Sequence, residues 1–151
     1  MLKAIFFGFH GVIINDDDIH PQLLSQLLLE ENLRFDPDEY QQMYLGRSDR
    51  AKLTAILQTR GRFVRDEYLD DLLRKKAEGY QEWLRSQSKL SLYAGLDDLL
   101  YRIRAKQYVT AIVTGGQRVD VEHVLAAAML VEQCSLIVSA SDMPVSASKP
   151  A

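Results

Sequence analysis

With 151 residues, the chain is long enough for one ordinary domain or for two small lobes sharing an interface. Its composition, 47% hydrophobic and 26% charged, is that of a globular protein and excludes wholesale disorder. A net charge of -3 without a basic stripe argues against nucleic acid as a partner, and no segment approaches the roughly 20 apolar residues of a membrane span.

In chain order, the first element is a buried strand over Ala4–Phe9, apolar on both faces as a covered parallel strand requires. Lys3 and the apolar run to Ile14 imitate a leader peptide, but His10 interrupts the run and no small-residue cleavage site follows. A cytoplasmic protein is expected. The acid run Asp16-Asp17-Asp18 reads as solvated surface, as does the basic run Arg74-Lys75-Lys76.

Residues 16–92 read as almost purely helical. Pro21 starts a helix with the stripe Leu23, Leu24, Leu27 and Leu28, and Asp36 caps a short second one at Pro37. Ser48 caps a third that runs to Thr59 and stops at Gly61. Asp66-Glu67 opens a long fourth through Trp83, with Tyr68, Leu69, Leu72, Leu73, Tyr80 and Trp83 on its apolar face.

The pattern then alternates. Leu96–Lys106 places Leu96, Leu99, Leu100 and Ile103 on one helical face, and Tyr108–Val113 is a second buried strand. Gln117–Glu132 is helical through Val121, Val124, Leu125 and Ala128, with His123 on its surface, and Leu136–Ser139 is a third strand. Cys134 has no disulfide partner within the chain and is expected at a buried strand position. The domain reading is an α/β core of residues 1–15 and 93–151, interrupted by a helical cap of residues 16–92.

Three short patterns add chemistry to this outline: Phe6-Phe7-Gly8-Phe9-His10-Gly11-Val12-Ile13, Ala111-Ile112-Val113-Thr114-Gly115-Gly116, and Ser146-Ala147-Ser148-Lys149-Pro150-Ala151. With the helical insert after strand one, they resemble the haloacid dehalogenase superfamily, most closely its β-phosphoglucomutase and phosphoglycolate phosphatase branch. The resemblance implies a Rossmann-type parallel sheet with an inserted helical cap, C-terminally truncated, because family members continue beyond the length of this chain.

It also implies roles, and departures from them. Positions 8 and 10 carry aspartates in the family, one forming an aspartyl-phosphate and ligating magnesium, the other protonating the leaving group; here they are Gly8 and His10. A hydrogen atom cannot attack phosphorus, and an imidazole can shuttle a proton but has no nucleophile beside it. Thr114 and Gly115 match the phosphate-cradling turn, and Lys149 matches the lysine that neutralises the transferring phosphoryl group. In the cap, His20, Ser48 and Lys76 match substrate-facing positions.

The acidic pair that completes the family's magnesium site beyond the Lys-Pro segment has no counterpart here, so the site is expected to be lost and no cofactor is expected. The sequence therefore predicts a catalytically inactive member that binds a phosphorylated metabolite or a protein partner. Two alternatives stand beside it: a residual phosphatase or phosphomutase acting on small sugar phosphates, and an interaction subunit. The second follows from strand one, which would form an apolar unpaired sheet edge suited to pairing with a partner or a second copy.

Overall fold

The computed structural model describes residues 1–44, 46–139 and 142, with no description of the side chains of residues 37, 43 and 44. The elements run β1 (Ala4–Phe7), α1 (Ile19–Glu30), a single turn α2 (Pro37–Glu39), a wider π-type turn over Tyr40–Tyr44, α3 (Asp49–Thr59) and α4 (Asp66–Ser86). They continue with α5 (Leu96–Ala105), β2 (Val109–Val113), α6 (Arg118–Ala127), a 3-10 turn over Val131–Gln133 and β3 (Leu136–Val138). No helix among the described residues is long and apolar enough to cross a membrane.

Among the described residues the chain divides into two compact units, Met1–Asp17 with everything from Leu84 onward, and Asp18–Trp83. The sequence places these boundaries at 15/16 and 92/93. Residues 84–92 join the first unit because Asn15 N donates to Ser91 O at 2.7 Å and Ile14 bridges Leu92.

The first unit is a three-stranded parallel sheet in the order β1-β2-β3, with Phe6 level with Ala111 and Ala111 level with Leu136. Crossovers between parallel strands are right-handed, so two taken in the same direction put α5 and α6 on one face. Leu96, Leu100 and Ile103 of α5, and Val121, Val124 and Leu125 of α6, are buried. Ile112 is fully buried on that side of the sheet. The opposite face carries Phe6, 68% exposed, with Val109 and Leu136 about half exposed. The expectation of strands covered on both sides is therefore corrected: among the described residues one layer of helices covers one face.

Smaller corrections share one cause, since apolar character alone does not fix an element's end. β1 and β3 stop short of the predicted spans, because Gly8 and Ser139 each begin a loop, while β2 ends at Val113 as predicted and starts one residue late, at Val109. Leu99 is 45% exposed, off the buried stripe of α5. Cys134 is half-buried and follows the 3-10 turn rather than lying in β3, and burial pushes its thiol pKa up, away from the reactive thiolate.

In the second unit, α1 begins two residues before Pro21, with Asp18 at the N-cap position, and buries Leu23, Leu24, Leu27 and Leu28 as the stripe predicts. Leu24, Leu27 and Leu28 form one core with Tyr40, Leu53, Ile56, Leu57, Leu69 and Leu72. Ser48 Oγ accepts from Ala51 N at 3.3 Å, capping α3. Gly61, at φ +72°, ends it in the left-handed turn that only glycine adopts freely, with Arg62 N donating to Leu57 O at 2.8 Å. On α4, Leu69, Leu72 and Tyr80 are buried while Tyr68 is 39% exposed and hydrogen-bonded to Glu31.

Candidate functional site at the carboxyl ends of the strands

In a parallel sheet every strand delivers its last residue to the same edge, where loops and helix starts leave backbone N–H groups open to a ligand. Gly8, Thr114 and Ser139 directly follow β1, β2 and β3 and so share that edge.

After β1 the chain folds back at once. Val12 N, Ile13 N and Ile14 N all donate to Phe9 O, at 3.2, 2.8 and 3.3 Å. Gly11 sits at φ +70°, and a Cβ there would lie 2.8 Å from Asp17 Oδ1, so glycine is required on two counts. The turn expected from Gly11 is present. Position 8 is different in kind: a Cβ on Gly8 would stand 3.2 Å from the Val12 Cγ2 methyl, a tight contact that a shift of that side chain by a few tenths of an ångström relieves.

His10 is not alone. Its Nδ1 lies 2.6 Å from Asp16 Oδ2, and Asp16 Oδ1 accepts from Gly11 N at 3.4 Å. The Asp16 side chain is fully buried and the His10 side chain 25% exposed. A carboxylate can only accept, so Nδ1 is the donor in this pair. Asp16 thus departs from its reading as solvated surface, while Asp17 and Asp18 keep it. The sequence signal was the hydrophobic neighbourhood: Ile13 and Ile14, both completely buried, carry Asp16 inward two residues later.

After β2, Thr114 Oγ1 accepts from Gly116 N at 3.0 Å, which closes a tight turn opening α6. Thr114 is buried, and among the described residues its hydroxyl is seen only as an acceptor. A Cβ on Gly116 would lie 2.5 Å from His10 Nε2 and 3.3 Å from Thr114 Oγ1. The imidazole therefore lies against the Thr114-Gly115-Gly116 turn in the space a residue 116 side chain would fill. After β3, Ser139 N and Ser139 Oγ each donate to Asp142 Oδ2 at 2.7 Å, and Arg118 does so at 2.8 Å. These bonds, those from Ser139 first, hold the Asp142 carboxyl at about 2. The third predicted element, Lys149, lies outside the described residues, as does all of the pattern from Ser146 to Ala151.

The cap positions divide. Lys76, only 6% exposed, sends Nζ to Asp49 Oδ2 at 2.8 Å and to within 3.3 Å of His20 Nδ1. His20 stacks on Tyr80 with centroids 5.1 Å apart. Lys52, also buried, lies 3.6 Å from Asp49 Oδ1 and donates to the Tyr40 hydroxyl at 3.1 Å. Burial alone would raise the Asp49 pKa, but the charges of Lys76 and Lys52 outweigh it and hold the group at about 2. His20 and Lys76 are thus brought together, and the solvated reading of the basic run is corrected at Lys76. Ser48 serves α3 as its cap. Sequence reasoning missed Asp49 and Lys52; the i,i+3 spacing of an acid and a lysine behind a capping serine was the available sign.

Magnesium takes hard oxygen ligands, usually one or two carboxylates with water and substrate phosphate. Positions 8 and 10 offer it a hydrogen atom and an imidazole, and the buried Asp16 carboxylate is engaged by His10 and the Gly11 amide. These residues do not fit the family's ion.

A parallel sheet whose strand ends gather a Gly-rich turn, with a helical unit inserted after β1, is an α/β arrangement of the Rossmann type. The chain matches the family model of the haloacid dehalogenase-like hydrolases over residues 5–151 and belongs to that family. Among solved structures it is similar to CbbY from Rhodobacter sphaeroides in complex with phosphate, at 17% identity and TM-score 0.77 over 92% of this chain and 64% of that one. It is equally similar to a β-phosphoglucomutase from Clostridium difficile, at 17% identity and TM-score 0.79 over 95% of this chain and 64% of that one. A predicted phosphoglycolate phosphatase from Haemophilus somnus gives 18% identity and TM-score 0.75, over 95% and 64%. The chain thus spans a little under two thirds of these relatives' length, and at such identities the likeness is one of fold. No curated protein matches it.

Proposed function

We propose that this protein is a haloacid dehalogenase-like module that binds a phosphorylated small molecule and does not hydrolyse it through an aspartyl-phosphate. One observation carries the reading. On a single sheet edge, the turn after β2 presents the Thr114 hydroxyl, whose oxygen accepts from Gly116 N, while position 8 has no side chain to act as nucleophile. Binding needs donors for phosphate oxygens; it does not need a nucleophile. The phosphate in the CbbY structure supports the choice of ligand class, as does the phosphomutase and phosphatase character of the other relatives.

The test is a titration of the 151-residue chain with inorganic phosphate and with sugar phosphates, read by amide shifts in solution NMR. Saturable shifts of Thr114, Gly115 and Gly116, abolished in Thr114→Val and weakened in Lys149→Ala, are expected. Flat shifts at millimolar ligand would overturn the reading.

A second reading rests on a separate observation: β1 is the edge strand of the described sheet, and Phe6 beside that edge is 68% exposed. An apolar edge pairs readily with another strand, and a second copy of the chain supplies one. Self-association that grows with concentration in sedimentation velocity is the expected sign. A monomer at every concentration would remove it.

A further inference from the structure

We infer that Asp49 is a specificity-determining residue of the helical unit, a built-in counter-anion that closes the place between Lys52 and Lys76 to the anionic group of a ligand. The inference goes beyond the phosphate-binding reading of the strand ends and does not depend on it.

Asp49 opens α3 behind the Ser48 cap, and its two carboxylate oxygens reach different ammonium groups. Oδ2 lies 2.8 Å from Lys76 Nζ, and Oδ1 lies 3.6 Å from Lys52 Nζ. Lysines usually carry their charge out to water, and neither of these does. The Lys76 side chain is 5% exposed and the Lys52 side chain 10%. Lys52 Nζ donates to the Tyr40 hydroxyl at 3.1 Å and stands 5.1 Å from the centroid of that ring, while Lys76 Nζ meets His20 Nδ1 at 3.3 Å. The Asp49 side chain is 41% exposed. The two positive charges are therefore fixed inside, and the negative one sits at the surface, where a dissolved anion can arrive.

Buried ammonium groups are stable only beside a fixed counter-charge, and here two face one carboxylate. The start of α3 adds its own partial positive charge. Phosphate and sulfate present pairs of oxygens much as a carboxylate does, so either ion can bridge the same two groups. In this chain the bridge is already made. Asp49 is tethered to the site, and its effective concentration there exceeds that of a ligand in solution. Its exposed charge also repels a second anion. Lys76 is thereby withheld from a ligand's phosphoryl group, and the helical unit supplies no phosphate subsite at this cluster.

The test exchanges the built-in anion for a dissolved one. Thermal unfolding of the full chain is followed for Asp49→Ala and Asp49→Asn, in inorganic phosphate and in chloride at one ionic strength. Both variants should melt below the parent in chloride. Phosphate should restore about half or more of the lost melting temperature and move the parent little. Adding Lys52→Met to Asp49→Ala removes one arm of the site and should raise the phosphate concentration needed about tenfold. In NMR spectra, phosphate should shift the Lys52 and Lys76 amides of Asp49→Asn and leave those of the parent in place. If the variants melt with the parent, these shifts alone decide.

Equal shifts of the two amides in parent and variant overturn the inference, because Asp49 then excludes nothing. An undiminished response with Lys52→Met does so too, since it marks a general salt effect. So does a variant that phosphate cannot restore, whether it melts low or does not fold. The Thr114–Gly116 amides are read separately in the same spectra, so the phosphate-binding reading stands or falls without deciding this one.

Discussion

Two triple-charge runs look alike in sequence and are used alike. Asp16-Asp17-Asp18 follows β1, and Arg74-Lys75-Lys76 lies within α4. In each, two members are exposed and one is buried: Asp16 at 2% and Lys76 at 6%. Each buried member meets a histidine, His10 at 2.6 Å and His20 at 3.3 Å. The difference lies in what surrounds them. Asp16 is one carboxylate serving a ring and a backbone amide. Lys76 belongs to a cluster in which Lys52 and Lys76 share Asp49, so the buried positive charge exceeds the negative. The lesson is that a charged side chain leaves water only where a counter-group is already fixed, and that its neighbours in a run say little about it.

The largest expected effect follows from that asymmetry. Asp49→Ala strands two buried ammonium groups and should cost about 3 kcal/mol of unfolding free energy in urea titration. Lys76→Met leaves Asp49 with Lys52 and solvent, and should cost less than about 1 kcal/mol. Equal losses in the two variants would show that the cluster is not short of negative charge.

The same cluster sets an acid limb. Asp49 titrates at about 2 in the folded chain against 3.8 in its ordinary state, so the unfolded chain takes up the proton first as pH falls. Its contribution is complete above pH 3.8 and disappears as the pH drops towards 2. Stability measured across that window should fall less steeply in Asp49→Ala than in the parent. Parallel slopes would remove Asp49 from the account.

In the other unit, Asp16→Ala removes a carboxylate that accepts from His10 and from the Gly11 amide, at a cost of about 2 kcal/mol by thermal unfolding. A variant as stable as the parent would mean that Asp16 does no more than its exposed neighbours. Smaller still, Ser48→Ala deletes the α3 cap and should cost about 1 kcal/mol, with Ser48→Gly costing only a few tenths. Loss of phosphate binding in Ser48→Ala without loss of stability would instead return Ser48 to a ligand role.

Much of the fold was legible because it rests on patterns with a fixed period. The stripe of Leu23, Leu24, Leu27 and Leu28 gave α1, and the Ser48 cap with the Gly61 stop gave α3 to the residue. What the periods do not encode is which face of a strand is covered: Phe6 and Ile112 look equally apolar, yet one is 68% exposed and the other fully buried. That depends on which side the crossovers take, a property of the whole sheet.

The tight turn at Gly11 was legible, because its positive φ and the nearby Asp17 demand a glycine. The site was not legible at Asp16, Asp49 or Lys52, whose roles come from partners apart in sequence. The tight approach of Val12 to position 8 was hidden too, since a glycine alone says that a side chain is missing and not what stands beside it.

The central claim is that this fold holds phosphate at an edge where hydrolysis through position 8 cannot begin. The direct measurement is release of inorganic phosphate from a panel of sugar phosphates with magnesium, run beside the phosphate titration on the same sample. The account predicts phosphate-dependent shifts at Thr114–Gly116 with release no faster than from heat-treated protein. Release proportional to protein concentration and dependent on magnesium would contradict it.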